Sequence, residues 1–324
     1  MELDCIFSIG PACRPAYHLK QNFLRLFAAP LDWQMNYNLD TCLHLFQTSF
    51  ETFFSEIYAD PARNGARNNR YVIDTQNSIT SIHHFDSSLP LDEAQAKFRT
   101  TMKKRYESMH NAILNSHAIG LICNREDSLD VLSSFLLSFG KIYPDTQIVL
   151  INIRHNETLT SISMNEYHLT SRLIIREYSF CDTYQTAKNS DRNFWLGNVD
   201  AWNNILQDCC IIHHPFAEYI KNIISQTQTI SLYGAGIYCR KIINFLKKYD
   251  INISHIVVTS LENNPVSIEG IPVISYDALP KPCYNHPIII SVIDETESLK
   301  ILHQLKTLGY ASVFRIDSSL RLLL

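Results

Sequence analysis

Four short apolar runs constrain this 324-residue chain most: Cys5–Ile9, Ala118–Asn124, Gln147–Arg154 and Arg172–Phe180. Each is strand-length and rich in β-branched or aliphatic residues, and the first three are too apolar to have one face in water. Cys5–Ile9 stops at Gly10-Pro11. Pro15 then suits a first helical position, and Ala16, Leu19, Phe23 and Phe27 recur at three- and four-residue spacing. Helix-period segments also cover Leu39–Phe54, Glu93–Leu114, Leu129–Tyr143 behind an Asp127-Ser128 cap, and Ala201–Cys209. Buried strands separated by helices predict an α/β fold with a mainly parallel sheet flanked by helices. Tyr58–Asn69, with Pro61 and Gly65, is expected to be a mobile loop.

Nine glycines serve the whole chain, and three of them are Gly234, Gly236 and Gly270. That concentration, after the polar Gln226-Thr227-Gln228, places a domain boundary near residue 226, giving domains 1–225 and 226–324. The second begins with the strand Thr229–Tyr233, which runs into Gly234-Ala235-Gly236 and an amphipathic segment, Ile242–Tyr249. Strands at Ser254–Val258, Ile271–Ile274, Pro287–Val292 and Ser312–Ile316 follow, with helix-period stretches at Asp277–Leu279 and Thr296–Leu308. This pattern predicts a smaller, Rossmann-like unit.

Composition narrows the function classes. With 46% hydrophobic and 19% charged residues the chain can build a sizeable core. Its apolar runs, such as Ile288–Ile293, fall far short of the ~20 residues a bilayer span needs. Met1-Glu2-Leu3-Asp4 lacks the basic start of a secretory signal, so a cytoplasmic location is expected, with specialised secretion left open. A formal charge of −4 without a dense basic stripe predicts no nucleic-acid partner; a small-molecule, glycan or peptide substrate fits better. Nine cysteines, several in apolar runs, suit a reducing compartment. Cys209-Cys210 with His213-His214 is the nearest approach to a metal set, but adjacent cysteines do not readily face one ion, and no metal site is expected.

The strongest local constellation is Ser8-Ile9-Gly10-Pro11-Ala12-Cys13-Arg14. A cysteine between a buried strand and a helix N-terminus sees free backbone N–H groups and the positive end of the dipole, which favour thiolate. Arg14 adds a positive charge, and the same N–H groups could receive an oxyanion. The competing reading is a cysteine that only fills a tight turn. His83 and His84 offer a base, with His84 preferred, and Asp86, Asn124 or Asp127 could orient the ring. Asp32, before Trp33, is either a helix cap or a site acid, and Arg125 after a buried strand could clamp a carboxylate or phosphate. Arg99, Lys103, Lys104 and Arg105 read as the solvated side of a helix. Gly234 and Gly236 partly match a dinucleotide fingerprint. Cys239 holds the third glycine position, and the second strand ends Val258-Thr259-Ser260 without a ribose-binding acid. A nucleotide or nucleotide sugar is the cofactor such a turn would take; the leading reading requires none.

At these residues the chain resembles a bacterial family of unknown function labelled papain-like cysteine peptidase. The stretches that carry the likeness are Ser8–Cys13, Ala29-Pro30-Leu31-Asp32-Trp33 and Phe50-Glu51-Thr52-Phe53-Phe54. His84-Phe85, Lys104-Arg105-Tyr106, Asn124-Arg125 and Gly197-Asn198-Val199-Asp200-Ala201-Trp202 continue it, over roughly residues 3–210. Pro11-Ala12 stands where the family has a polar pair. The resemblance implies a Cys13 nucleophile and a histidine base. The second domain is similar to Rossmann-like modules of surface-polysaccharide enzymes, which implies a glycan-related substrate.

The leading expectation is a cysteine-dependent hydrolase or acyltransferase working through a Cys13 thioester, with His83, His84, Asp32 and Asn124 as catalytic candidates. Arg14, Trp33 and Arg125 are the substrate-binding candidates. The alternatives are a non-catalytic module recognising a sugar nucleotide or a protein, and a glycan-modifying transferase using Asp32, Arg125 and the glycine turn.

Overall fold

The computed structural model describes residues 1–183, 193–224, 229–279, 286–292 and 294–316. It is a mixed α/β chain that divides into two compact units, Met1–Ile212 and His213–Leu324. The first runs β1 (Glu2–Leu3), β2 (Cys5–Ser8), α1 (Arg14–Gln21), β3 (Gln34–Met35), α2 (Leu39–Gln47), β4 (Ile57–Asn64), β5 (Arg70–Asp74), β6 (Ile79–Ser81) and α3 (Leu91–Leu114). It continues with β7 (Ala118–Cys123), α4 (Leu129–Ile142), β8 (Gln147–His155), β9 (Ser163–His168), β10 (Leu173–Phe180), α5 (Val199–Leu206) and β11 (Cys210–Ile211).

The central sheet has the order β2-β7-β8-β10-β9, parallel except for β9 at its edge. Side-chain alternation between two cores explains why β2, β7 and most of β8 read as apolar runs. Phe7, Leu121 and Leu150 enter one core with the aromatic residues of α2, α3 and α4, while Ile6, Ile122 and Ile151 enter another with Leu19 of α1 and Trp202 of α5. β1 and β11 form a short parallel ladder of their own. Gly120 lets β7 lie against its neighbours, since a Cβ there would stand 2.8 Å from Ile6 Cγ1.

Two local expectations are corrected. The segment expected to be a loop holds β4, which pairs with β5 in a second, antiparallel sheet of order β3-β6-β5-β4. β4 is an edge strand with a register irregularity between Ala59 and Asn64, so Pro61 is tolerated where no ladder N–H is needed. The helix expected to reach Phe54 ends at Gln47, and Ser49, Phe50 and Phe54 take positive φ. Phe50, Phe53 and Phe54 instead wrap into an aromatic cluster with Phe85 and Phe98. Their burial outweighs the backbone cost.

The second unit comprises α6 (Pro215–Ile223), β12 (Thr229–Tyr233), α7 (Ile237–Lys248), β13 (Asn252–Val258), β14 (Ser267–Ile268), β15 (Ile271–Ser275), β16 (Ile288–Ile290), α8 (Glu295–Thr307) and β17 (Val313–Arg315). Its sheet has the order β14-β15-β13-β12-β16-β17, parallel apart from β14. The boundary expected near residue 226 lies outside the described residues. α6 belongs to the second unit because Phe216 and His214 pack on Phe245 of α7, with ring centroids 5.0 and 4.7 Å away. Among the described residues no helix is long and apolar enough to cross a membrane, and the eight described cysteines are free.

α1 is fastened by a fully buried histidine. The His18 ring stacks on Trp202 at 4.5 Å, and its Nε2 donates to the Leu196 carbonyl at 2.8 Å. Burial, partly offset by that hydrogen bond, pushes His18 down to about 4. An unfolded imidazole titrates near ~6.5, so between these values the unfolded chain binds the proton and the folded one does not. Stability is therefore full above about pH 6.5 and is lost as pH falls toward 4, by about 3 kcal/mol from this residue. Urea midpoints should drop across that range, and His18→Gln should flatten the slope. An unchanged slope in the variant would refute this assignment.

Candidate active site

The site begins where β2 runs out. The Gly10 N–H donates to Ser8 Oγ at 3.1 Å, and Gly10 and Ala12 both have positive φ, 62° and 98°. Gly10 is required here twice over, because a Cβ would also fall 1.8 Å from Tyr37 Oη. The turn delivers Cys13, half-buried, to the N-cap position of α1. Ala12 N–H donates to the Gln34 carbonyl at 2.8 Å, fixing the residue before the cysteine to β3.

β3 also fixes the histidines. Gln34 stands opposite Ser81 in the β3–β6 ladder, so the chain leaving β6 carries His83 toward Cys13. Cys13 Sγ lies 3.4 Å from His83 Nε2. Trp33, at φ 69°, meets the His83 ring edge-on with centroids 5.4 Å apart and limits its rotation. The preference for His84 is corrected: its Nδ1 lies 3.1 Å from Ser81 Oγ and 3.4 Å from Gln34 Nε2, and its ring packs on Phe98. His84 is thus held by the scaffold. Among the described residues nothing hydrogen-bonds His83 Nδ1. Asp86 is engaged by Ser88 and Asn68, and Asp127 faces Arg125.

The protonation pattern also departs from expectation. Burial pushes the Cys13 thiol up to about 11, offset only in part by its own backbone N–H. Burial and then the Arg67 charge lower His83. The pair is therefore thiol and neutral imidazole at pH 7 rather than thiolate and imidazolium.

Cys13 and His83 open onto a cavity of about 1,020 Å³ whose wall includes Trp33, Asn124, Phe194 and Trp195. Arg14 also lines it, but its guanidinium bonds the Trp195 carbonyl at 2.7 Å and Asp182 at 2.5 Å. It is the tether of the Trp195 wall. Asn124 presents a buried Oδ1 without a partner among the described residues. Asp32 is corrected: it is buried, takes two bonds from Arg25 and one from the Ala29 N–H, and lies outside the cavity lining. It neither caps a helix nor reaches the dyad. Arg125 is corrected too, because its guanidinium donates to the Tyr37 and Ile9 carbonyls and braces the loop before Cys13 from behind. Gly234, at φ 106°, and Gly236 lie in the second unit, where a Cβ on Gly236 would meet nothing within 4 Å.

Sequence reading missed Gln34, Arg25 and Trp195, and placed Arg105 on a solvated face. Only the basic Arg63–Arg70 stretch hinted at Arg67. The raised thiol has a direct consequence: iodoacetamide labelling of Cys13, followed by peptide mass spectrometry, should keep climbing between pH 9 and 10, toward the value of about 11. A plateau below pH 8 would show a preformed thiolate instead.

A family model described as "Putative papain-like cysteine peptidase" matches residues 4–156, which hold β2, Cys13, both sheet-borne histidines and β7. No curated protein and no solved structure matches the chain. The residues that place Cys13 against His83 thus fall inside the stretch that is similar to a papain-like cysteine peptidase family.

Proposed function

We propose that the first unit is a cysteine-dependent hydrolase or acyltransferase with Cys13 as nucleophile and His83 as its base. The observation that carries this reading is the 3.4 Å approach of Sγ and Nε2 on the wall of a cavity large enough for a substrate. In the reaction Sγ attacks a carbonyl carbon while His83 Nε2 takes the thiol proton. The imidazolium then returns that proton to the departing amine or alkoxide, leaving a thioester on Cys13. Water or another acceptor, deprotonated by His83, releases the acyl group. The Arg14 N–H, in the first turn of α1 on a residue that lines the cavity, has no helical carbonyl to bond and is the donor we assign to the oxyanion. Iodoacetamide labelling of Cys13 at pH 7 should fall about tenfold or more in His83→Ala, within the range of general-base effects, and less in His84→Ala. Equal rates in wild type and His83→Ala would sink the dyad.

For the second unit, which we take as a Rossmann-like domain, the strand order supports a nucleotide or nucleotide-sugar site. The order reverses beside β12, and the Gly234–Gly236 turn follows that strand, where open α/β sheets bind ligands. A nucleoside diphosphate sugar at ~100 times its dissociation constant should stabilise the fold by about 2.7 kcal/mol in a melt. Absence of any shift across a panel of nucleotides would remove this reading.

A further inference from the structure

We infer that the substrate of the Cys13–His83 site carries an oxyanion, carboxylate or phosphate, and that Arg67 and Arg105 are its docking groups. This deepens the hydrolase reading and rests on it. Four arginines line the cavity, Arg14, Arg25, Arg67 and Arg105, and among the described residues no aspartate or glutamate does. Two of the four are neutralised from behind the wall: Asp182 and Asp32 are 3% and 2% exposed and pair with Arg14 and Arg25. Arg67 and Arg105 have no carboxylate within ion-pair distance among the described residues.

The two remaining guanidiniums reach the cavity from different elements. Arg105 projects from α3 and is half-buried, with its guanidinium 4.0 Å from the Met102 sulfur. A half-buried guanidinium without a bonded anion is costly to the fold alone, which argues that something outside the chain completes it. Arg67 stands exposed on the connection between β4 and β5, and its charge acts on His83. Two cations without a bonded carboxylate, Arg105 feeling only the more distant charge of Asp32, focus their field on whatever enters a concave, partly apolar site, and guanidinium forks match carboxylate and phosphate oxygens. A cationic or uncharged acyl group gains nothing from that arrangement.

The test compares two alkylating agents that differ in charge, iodoacetate and iodoacetamide, on the full chain at low ionic strength. Rates are read by peptide mass spectrometry at Cys13 and at the half-buried reference thiols Cys181 and Cys210. The iodoacetate-to-iodoacetamide rate ratio cancels differences in thiolate fraction. At Cys13 it should exceed the reference ratio by about fivefold, the order of a two-charge Coulomb effect across water, and should fall toward it in 0.5 M salt. Arg67→Gln, on an exposed turn, should lower the ratio alone, and adding Arg105→Gln should abolish the excess. A Cys13 ratio equal to that of Cys181 and Cys210, or one unmoved by Arg67→Gln and by salt, overturns the proposal. The dyad is judged separately, by the iodoacetamide rate in His83→Ala, so the two ideas fail independently. Succinate and inorganic phosphate at matched ionic strength distinguish the oxyanions: the one that slows labelling of Cys13 identifies the group, and slowing by neither counts against both.

Discussion

The backbone of Gln34 is the constraint on which the candidate site depends. Its carbonyl takes the N–H of Ala12, one residue before Cys13, and its ladder partner is Ser81, two residues before His83. A two-residue strand thereby brings together groups separated by 70 positions in sequence. Gln34 is fully buried, so water does not compete for these bonds. Its side chain extends the same function, because Nε2 lies 3.4 Å from His84 Nδ1 and keeps the second imidazole within the scaffold. A slip of one residue in this ladder would exchange the faces of the β6 segment and send His83 away from the thiol.

What was legible in the sequence follows from the same geometry. The parallel sheet could be read because β2, β7 and most of β8 are buried on both faces and carry apolar runs. β3 and β6, of two and three residues, are too short for any period to register, although they decide where the histidine goes. The choice between His83 and His84 was lost for a related reason. Alternation along an extended strand cannot be applied to residues 82–84, which bend, and His84 turns back onto Ser81 three positions earlier. Phe50, Phe53 and Phe54 imitated helical spacing because a cluster of rings and a helix face both want aromatic residues three or four apart. Cys13 itself was legible, since a strand, a glycine turn and a proline-led helix are local signals.

Charge was harder to read because sequence does not say which way a buried carboxylate is satisfied. Asp32 and Arg125 both stand beside the cysteine loop, and both are engaged inward, on Arg25 and on backbone carbonyls. Neither carboxylate behind the cavity could remain buried unless it were paired and hydrogen-bonded. Asp182 meets that condition through Arg14, the Asn198 N–H and the Trp202 indole. Their arginine partners are consequently held rigid at the wall. Cys13 and His83 stay neutral in the same partly dry setting, because burial raises the thiol and lowers the imidazole.

α1 shows how the Cys13 thiol and the cavity wall are joined. A helix of eight residues is too short to stand alone, so its order comes from what it touches. Ala16 and Leu19 enter the core, while Arg14 and His18, four apart and thus on one face, hold the carbonyls of Trp195 and Leu196. The segment that presents Trp195 to the cavity is therefore carried by the same helix that carries Cys13 at its N-cap. His83 and Arg67 belong instead to the antiparallel sheet, and the two halves meet at Gln34. A change that shifts α1 must move the thiol and the aromatic wall together. A change in the sheet moves His83 and Arg67, and the Gln34 contacts keep the two sets in register.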